Sequence, residues 1–216
     1  LGRVVDRHGT GQLGVPYLVF VAPAFLTAAA LQIAAGDGSF PVMAGFKWQR
    51  FFFGMAATPL TSVQICVGHM LWVTLRAFVN SALYLAVLAA FGGARTWTVL
   101  LAVPAATLTG IAFAAPVMAV AASVNSESGI FNVLFRFVVT PMFLFSGTFY
   151  PISTLPEWGR WLAYVSPLWH GTELARDSAI GGLSGPAVLG HVAYLLLWLV
   201  VGAVLAMWRF SVRLTK

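Results

Sequence analysis

The sequence has very little charge for its length. Only 8% of its 216 residues are charged, 60% are hydrophobic, and the mean hydropathy is +0.89. A soluble globular domain carries about 25% charged residues, so this composition excludes that class. Several stretches exceed the roughly 20 apolar residues that a helix needs to cross a bilayer. The sequence therefore predicts an all-α polytopic membrane protein.

Other absences exclude whole classes of chemistry. Cys66 is the only cysteine, so the chain forms no intramolecular disulfide and no cysteine cluster for a metal. Lysine occurs only as Lys47 and Lys216, and no GxxxxGK[ST] phosphate loop is present, so the chain is not itself an ATPase. G-x-S-x-G and H-E-x-x-H motifs are also missing. We assign no catalytic residue, no metal and no cofactor to this chain.

Charge-free apolar windows predict five membrane-spanning helices in a single domain over residues 1–216. The windows cover residues 15–35, 63–91, 98–123, 131–150 and 186–208. No internal or inverted repeat is evident. The connection 151–185 contains two short helical patterns, the first with Trp158 on its apolar face and the second beginning at Pro167.

Basic residues predict the orientation. The C-terminal tail holds Arg209, Arg213 and Lys216 without an acid, and cytoplasmic flanks carry an excess of such residues. A cytoplasmic C-terminus places Lys47 and Arg50 inside and the connection 151–185 outside. The twelve basic residues form no tract that would bind nucleic acid. Residues 1–14 then lie outside, so we expect an earlier helix and six spans in the intact protein.

The predicted cytoplasmic connection 40–60 mixes aromatic and basic side chains. We expect it to lie at the membrane face, either as an interfacial anchor or as a docking segment for a partner protein. Its Thr58-Pro59 pair predicts a capped start for the next helix. The candidate docking residues are Phe46, Lys47, Trp48, Arg50, Phe51, Phe52 and Phe53.

One predicted span carries an unusual polar stripe. Its residues recur every three or four positions and so share one helix face: His69, Trp72, Arg76, Asn80 and Tyr84. An arginine near the centre of a bilayer costs about 2.5 to 3.5 kcal/mol, so Arg76 should face protein or a wet cavity, unless the helix shifts and the side chain snorkels to an interface. Arg136, in the stripe with Asn132 and Thr140, leaves the same two alternatives. We take the five residues of the first stripe, together with Arg136, as candidates for a substrate pathway.

A longer run identifies a resemblance to a known family. The segment TPMFLFSGTFYPISTLPEWGRWLAYVSPLWHGTELAR, residues 140–176, resembles the signature region of type-two ABC exporter permeases, in particular the membrane subunits of nodulation-factor and daunorubicin exporters. The similarity extends through YLVFVAPAFLTAAA, KWQRFFFGMAATPLT and PAATLTGIAFAAPVMAVAAS, and so covers most of residues 17–180.

The resemblance implies a fold and a function. It implies six spans, an external re-entrant hairpin before the last span, and a pair of permeases carried by two cytoplasmic ATPase subunits that bind ATP and Mg²⁺. The segment 47–53 would contact the ATPase. Residues expected to shape the hairpin near the exit are Pro151, Pro156, Trp158, Pro167 and His170.

We therefore expect a subunit of a bacterial inner-membrane exporter for an amphipathic drug, lipid or lipid-linked glycan. An ATP-independent channel or secondary transporter is the first alternative and should show paired intramembrane charges or inverted repeats, neither of which is evident in the sequence. A membrane-embedded enzyme is the second alternative. It should bring a nucleophile, a base or metal ligands together.

Overall fold

The computed structural model describes residues 17–91, 96–124, 129–180, 182 and 184–215. Regular structure in these ranges is helical. The main helices are α1 (Tyr17–Lys47), α2 (Phe51–Ala56), α3 (Ser62–Ala90), α4 (Ala102–Ser123, preceded by a 3-10 turn, Trp97–Leu101), α5 (Ile130–Phe145), α6 (Glu157–Val165), α7 (Pro167–Ile180) and α8 (Gly185–Leu214).

Four of the described helices are long and apolar enough to cross a membrane, namely α1, α3, α8 and α4 with its preceding turn. The fifth predicted span corresponds to the shorter apolar helix α5, which contains a π-helical turn at Phe135–Val139. The prediction of an all-α polytopic membrane protein is confirmed. Helix α1 continues well beyond the apolar window 15–35, through Asp37 and Pro41 to Lys47.

Helix α4 is the centre of the bundle. Helices α1, α3, α7 and α8 all pack against it, and most of its side chains are buried. Its small residues allow this close packing: a Cβ on Gly110 would lie only 3.0 Å from the carbonyl oxygen of Ala30 in α1. Helices α3 and α8 instead expose long apolar faces, as expected of surfaces in contact with lipid.

The two ends of the bundle differ in character. At one end, which we call the basic end, the C-termini of α1, α4 and α8 meet beside α2. At the other, the hairpin end, α6 and α7 pack around the start of α8. The two helices between spans predicted from residues 151–185 are therefore present as α6 and α7.

The predicted cap of α3 is wrong. Thr58 and Pro59 lie in a turn, and the helix begins three residues later at Ser62. Thr61 is the N-cap: its hydroxyl accepts a hydrogen bond from the Gln64 amide, and the Gln64 side chain accepts one from the Thr61 amide. This reciprocal capping box satisfies two helix N-terminal donors, which Thr58 cannot reach.

Candidate functional site

The candidate docking segment, residues 46–53, is divided between core and surface. Phe46 and Phe52 are almost fully buried, and their ring centroids lie 4.8 Å apart. Phe210 of α8 completes the cluster at 4.8 Å from Phe46 and 5.2 Å from Phe52. We call these three rings the aromatic cluster. Because they are inside the bundle, Phe46 and Phe52 anchor the segment and cannot themselves contact a partner.

The exposed part of the segment is the turn between α1 and α2. Trp48 is 53% exposed, and Gln49 and Arg50 are exposed beside it. Arg50 has φ 54°, the left-handed conformation that few residues other than glycine adopt, and its guanidinium lies 5.3 Å from the ring of Phe53. Lys47 lies near the Trp48 ring, and Phe51 packs on Phe52. The turn is therefore a projecting aromatic and basic surface on a buried aromatic base.

Arg76 and His69 both contact Asp37 of α1. The Arg76 guanidinium donates to the Asp37 carboxylate at 2.6 Å. His69 Nε2 lies 3.2 Å from the Asp37 backbone oxygen. That carbonyl is free because Pro41, four residues on, has no N–H to donate. Since a carbonyl only accepts, His69 Nε2 carries the proton and satisfies it.

Paired intramembrane charges were not evident in the sequence, but the structure contains such a pair, because α1 continues past the apolar window and brings Asp37 opposite Arg76. The other residues of the polar stripe have separate contacts. Trp72 lines a small cleft beside α2, and Asn80 donates to the Arg76 carbonyl within its own helix. Tyr84 packs against buried apolar side chains of α1, α3, α4 and α7.

Arg136 lines a separate cleft between α1 and α5. The cleft has a volume of about 680 Å³, and most of its lining side chains are polar: Gln32, Asn132, Arg136 and Thr140, with Phe135 and Val139. The π turn at Phe135–Val139 shapes this wall, and the Thr140 hydroxyl donates to the carbonyl oxygen of Phe135. Such π turns occur frequently at functional sites. The cleft offers amide, hydroxyl and guanidinium groups to a ligand.

The three prolines predicted to shape the hairpin lie where its short helices begin. Pro151 precedes a 3-10 turn, Pro156 is the N-cap of α6, and Pro167 begins α7. Trp158 is exposed on α6, with its ring 5.7 Å from that of Phe145.

His170 joins α7 to α8 through His191. His170 Nε2 donates to the Tyr164 carbonyl at 3.0 Å, and Tyr194 of α8 stacks on its ring. Burial lowers the pKa of His170 to about 4, so the ring is neutral and Nδ1 is an acceptor. His191 Nδ1 therefore donates to His170 Nδ1 at 2.8 Å. The contact requires a neutral His170.

Arg176 fastens α7 to the rest of the bundle and was not among the predicted site residues. It is almost fully buried, forms an ion pair with Glu173, and donates to the carbonyl oxygens of Gly147 and Phe20. Its guanidinium also lies 3.9 Å from the ring of Phe20. Sequence spacing indicates only the local pair with Glu173, because the other partners are distant in the chain.

The predicted site residues with exposed or cleft-lining side chains are thus found mainly in the turn 48–50, in the cleft around Arg136 and at the hairpin end. His69 and Arg76 both contact Asp37. Gln32 and Asp37 were missed. The proline at position 41 was the available signal for Asp37, because an intrahelical proline requires a donor for the carbonyl four residues earlier.

Comparisons with known proteins agree on one family. The family model described as ABC-2 type transporter matches residues 9–180. A protein named Nodulation protein J from Sinorhizobium fredii is 30% identical over 203 residues, covering 93% of this chain and 74% of the relative. The protein of the same name from Rhizobium leguminosarum bv. viciae is 31% identical, covering 93% and 75%. No solved structure matches the chain significantly.

Proposed function

The chain belongs to the ABC-2 type transporter family, and from this premise we propose that it is the permease of an ATP-driven exporter whose ATPase is a separate polypeptide. As a family member it is a multi-pass membrane subunit of a transporter. In the proposal it lies in a bacterial inner membrane with a cytoplasmic C-terminus. It pairs with a second permease, and two ATPase subunits hold the ATP and Mg²⁺.

The turn 48–50 is the observation that carries this proposal. An interfacial anchor would lay its aromatic rings on the membrane face, but Phe46 and Phe52 are turned into the bundle. What remains outside is a short projection, Trp48 to Arg50, on a base that resists displacement. Tryptophan and arginine are the residue types that dominate protein interfaces. A docked ATPase could therefore push the bundle through this turn.

The cleft between α1 and α5 is the proposed place of substrate contact. Its guanidinium and amide groups suit the anionic or hydroxyl-rich head of an amphipathic molecule, and the exposed apolar side chains of α5 around it suit the tail. This chemistry fits a lipid or lipid-linked glycan better than a purely apolar drug.

The test is co-purification of the permease with candidate ATPase subunits, followed by ATP hydrolysis. Lys47→Glu with Arg50→Glu should leave insertion intact. Each reversal should weaken docking by about 1 kcal/mol or more, so ATPase affinity should fall at least about thirtyfold in the paired variant. Arg209→Glu is the matched control, because Arg209 lies at the same end but contacts only the ring of Trp208 among the described contacts.

Binding of an ATPase that the paired reversal weakens and the control does not would support a coupled exporter. Equal binding by both variants would remove the turn from the docking surface. Failure to associate with any ATPase would favour the channel or secondary-transporter alternative, for which the Asp37–Arg76 pair would then be the first place to look.

A further inference from the structure

We propose that Arg213 and Phe210 are positioning residues that make the end of α8 move as one body with the docking turn. This inference rests on the proposed function, in which an ATPase displaces that turn. It assigns to the last helix a part in transmitting the movement, although α8 begins more than 130 residues after the turn in the sequence.

Arg213 lies where three helices end. Its Nη1 donates to the carbonyl oxygens of Ala122 at 2.8 Å and Val124 at 2.9 Å, the last turn and the C-cap of α4. Carbonyls at a helix C-terminus lack intrahelical donors and carry partial negative charge, which a cation stabilises. The same guanidinium lies 4.6 Å from the ring centroid of Phe46 at the end of α1.

Phe210, one turn before Arg213, provides the apolar half of the joint. Its ring is fully buried against Phe46 and Phe52, the two residues that support the docking turn from either side. Interlocked aromatic rings in a close-packed core do not slide freely. Phe210 and Arg213 thus fix α8 to both ends of the turn and to the end of α4.

This joint differs from the covalent connection of the turn to α3. Residues 57–61, which link α2 to α3, are all exposed, so the chain itself provides a loosely held connection there. The joint with α8 combines two charge-assisted hydrogen bonds, a cation over a ring and buried aromatic packing. A push on Trp48 or Arg50 is therefore delivered to α8 as a rigid displacement.

Spin labels can directly measure whether the turn and α8 move together in the complex of the permease with its ATPase. In a Cys66→Ala background, single labels at Gln49→Cys report contact with the ATPase by loss of mobility. Paired labels at Gln49→Cys and Val204→Cys, both exposed positions, report the distance between the turn and α8. We expect that distance to stay constant within about 1 Å between nucleotide-free and vanadate-trapped states.

The variant Arg213→Gln with Phe210→Ala should break the joint, so the same distance should change by about 2 Å or more on trapping. Arg213→Lys keeps a cation at the α4 carbonyls, so in this variant the distance between the two labels should stay nearly constant on trapping. Arg209→Gln should behave as wild type. A merely structural role would lower stability without making the distance depend on nucleotide.

A change of about 2 Å or more in the wild type overturns the inference, and this arm needs no variant to fold. A distance that stays constant in the variant Arg213→Gln with Phe210→Ala also overturns the inference. If the label at position 49 stays equally mobile with every ATPase tested, the proposed function fails and the inference falls with it. The mobility arm therefore separates the two failures.

Discussion

The ion pair between Asp37 and Arg76 predicts an asymmetric response to mutation. Arg76 lies 14 residues beyond Ser62, which at 1.5 Å per residue is about 21 Å along α3 and close to its middle. The Asp37 side chain is 13% exposed and that of Arg76 is 46% exposed. The second carboxylate oxygen of Asp37 has no partner among the described atoms. Leaving the Asp37 carboxylate without its ion-pair partner therefore costs more free energy than leaving the Arg76 guanidinium without its partner.

Asp37→Asn leaves a half-exposed guanidinium without its counter-ion, and we expect a loss of about 1–2 kcal/mol in the free energy of unfolding. Arg76→Met leaves the buried carboxylate, and we expect about 2–3 kcal/mol. Removing one partner of a fully buried pair costs about 3–5 kcal/mol, while polar pairs in membranes couple by about 0.6 and at most 1.7 kcal/mol. The half exposure of Arg76 places our values between these limits.

The double variant Asp37→Asn with Arg76→Met should recover about 1 to 1.5 kcal/mol relative to the sum of the single losses. Titration with sodium dodecyl sulfate in mixed micelles, followed by far-ultraviolet circular dichroism, measures all three. Asn80→Ala, which removes only a hydrogen bond to the Arg76 carbonyl, is the control and should cost less than about 1 kcal/mol. Additive single losses, or a larger loss for Asp37→Asn, would refute the reasoning.

Three further predictions concern the hairpin end. Arg176→Gln should lower the free energy of unfolding by about 2–4 kcal/mol, because it leaves the Gly147 carbonyl and Glu173 without their buried donor, and a lower thermal midpoint would show it. Gly171→Ala should cost about 1–3 kcal/mol and expose α7 to limited proteolysis, because the added methyl group would overlap Thr109. Acidification should destabilise the wild type: the pKa of His170 is about 4 when folded against about 6.5 when unfolded, so between these values only the unfolded chain binds the proton and stability falls as pH falls.

Matched variants keep these predictions specific. Arg160→Gln removes hydrogen bonds near the surface and should lower the thermal midpoint much less than Arg176→Gln. Gly190→Ala adds a methyl group where nothing lies within 4 Å and should be neutral or stabilising. His170→Gln should flatten the change in thermal midpoint between about pH 7.5 and about pH 5. A midpoint equally dependent on pH in that variant would assign the effect to other groups.

The apolar windows anticipated the helices but not where each one ends. Hydropathy responds to the absence of charge, so the first window stopped before Asp37, whereas the helix continues because Arg76 neutralises that carboxylate. The start of α3 depended on a hydrogen-bond pair, Thr61 with Gln64, that competes better than the proline signal two residues earlier. In both cases the helix end depends on a residue that lies outside the apolar window from which the helix was predicted.

For the candidate sites, too, the sequence indicated some residues and missed others. Aromatic and basic residues cluster in the sequence at residues 46–53, which made this segment a candidate for docking, but the sequence could not say which rings turn inward. Arg136 was found by its rarity in an apolar stretch, yet Gln32 of the opposite cleft wall was not, because the two are brought together only by the packing of α1 against α5.

The sequence by itself determined that this protein is helical and that it resides in a bilayer. Those conclusions follow from local composition, because hydrocarbon admits only chains that satisfy their own backbone. Only the tertiary structure decided which polar residues pair with each other and which remain available. Asp37 with Arg76 and Arg213 with the end of α4 are contacts between distant parts of the chain, and no local pattern records a distance across a bundle.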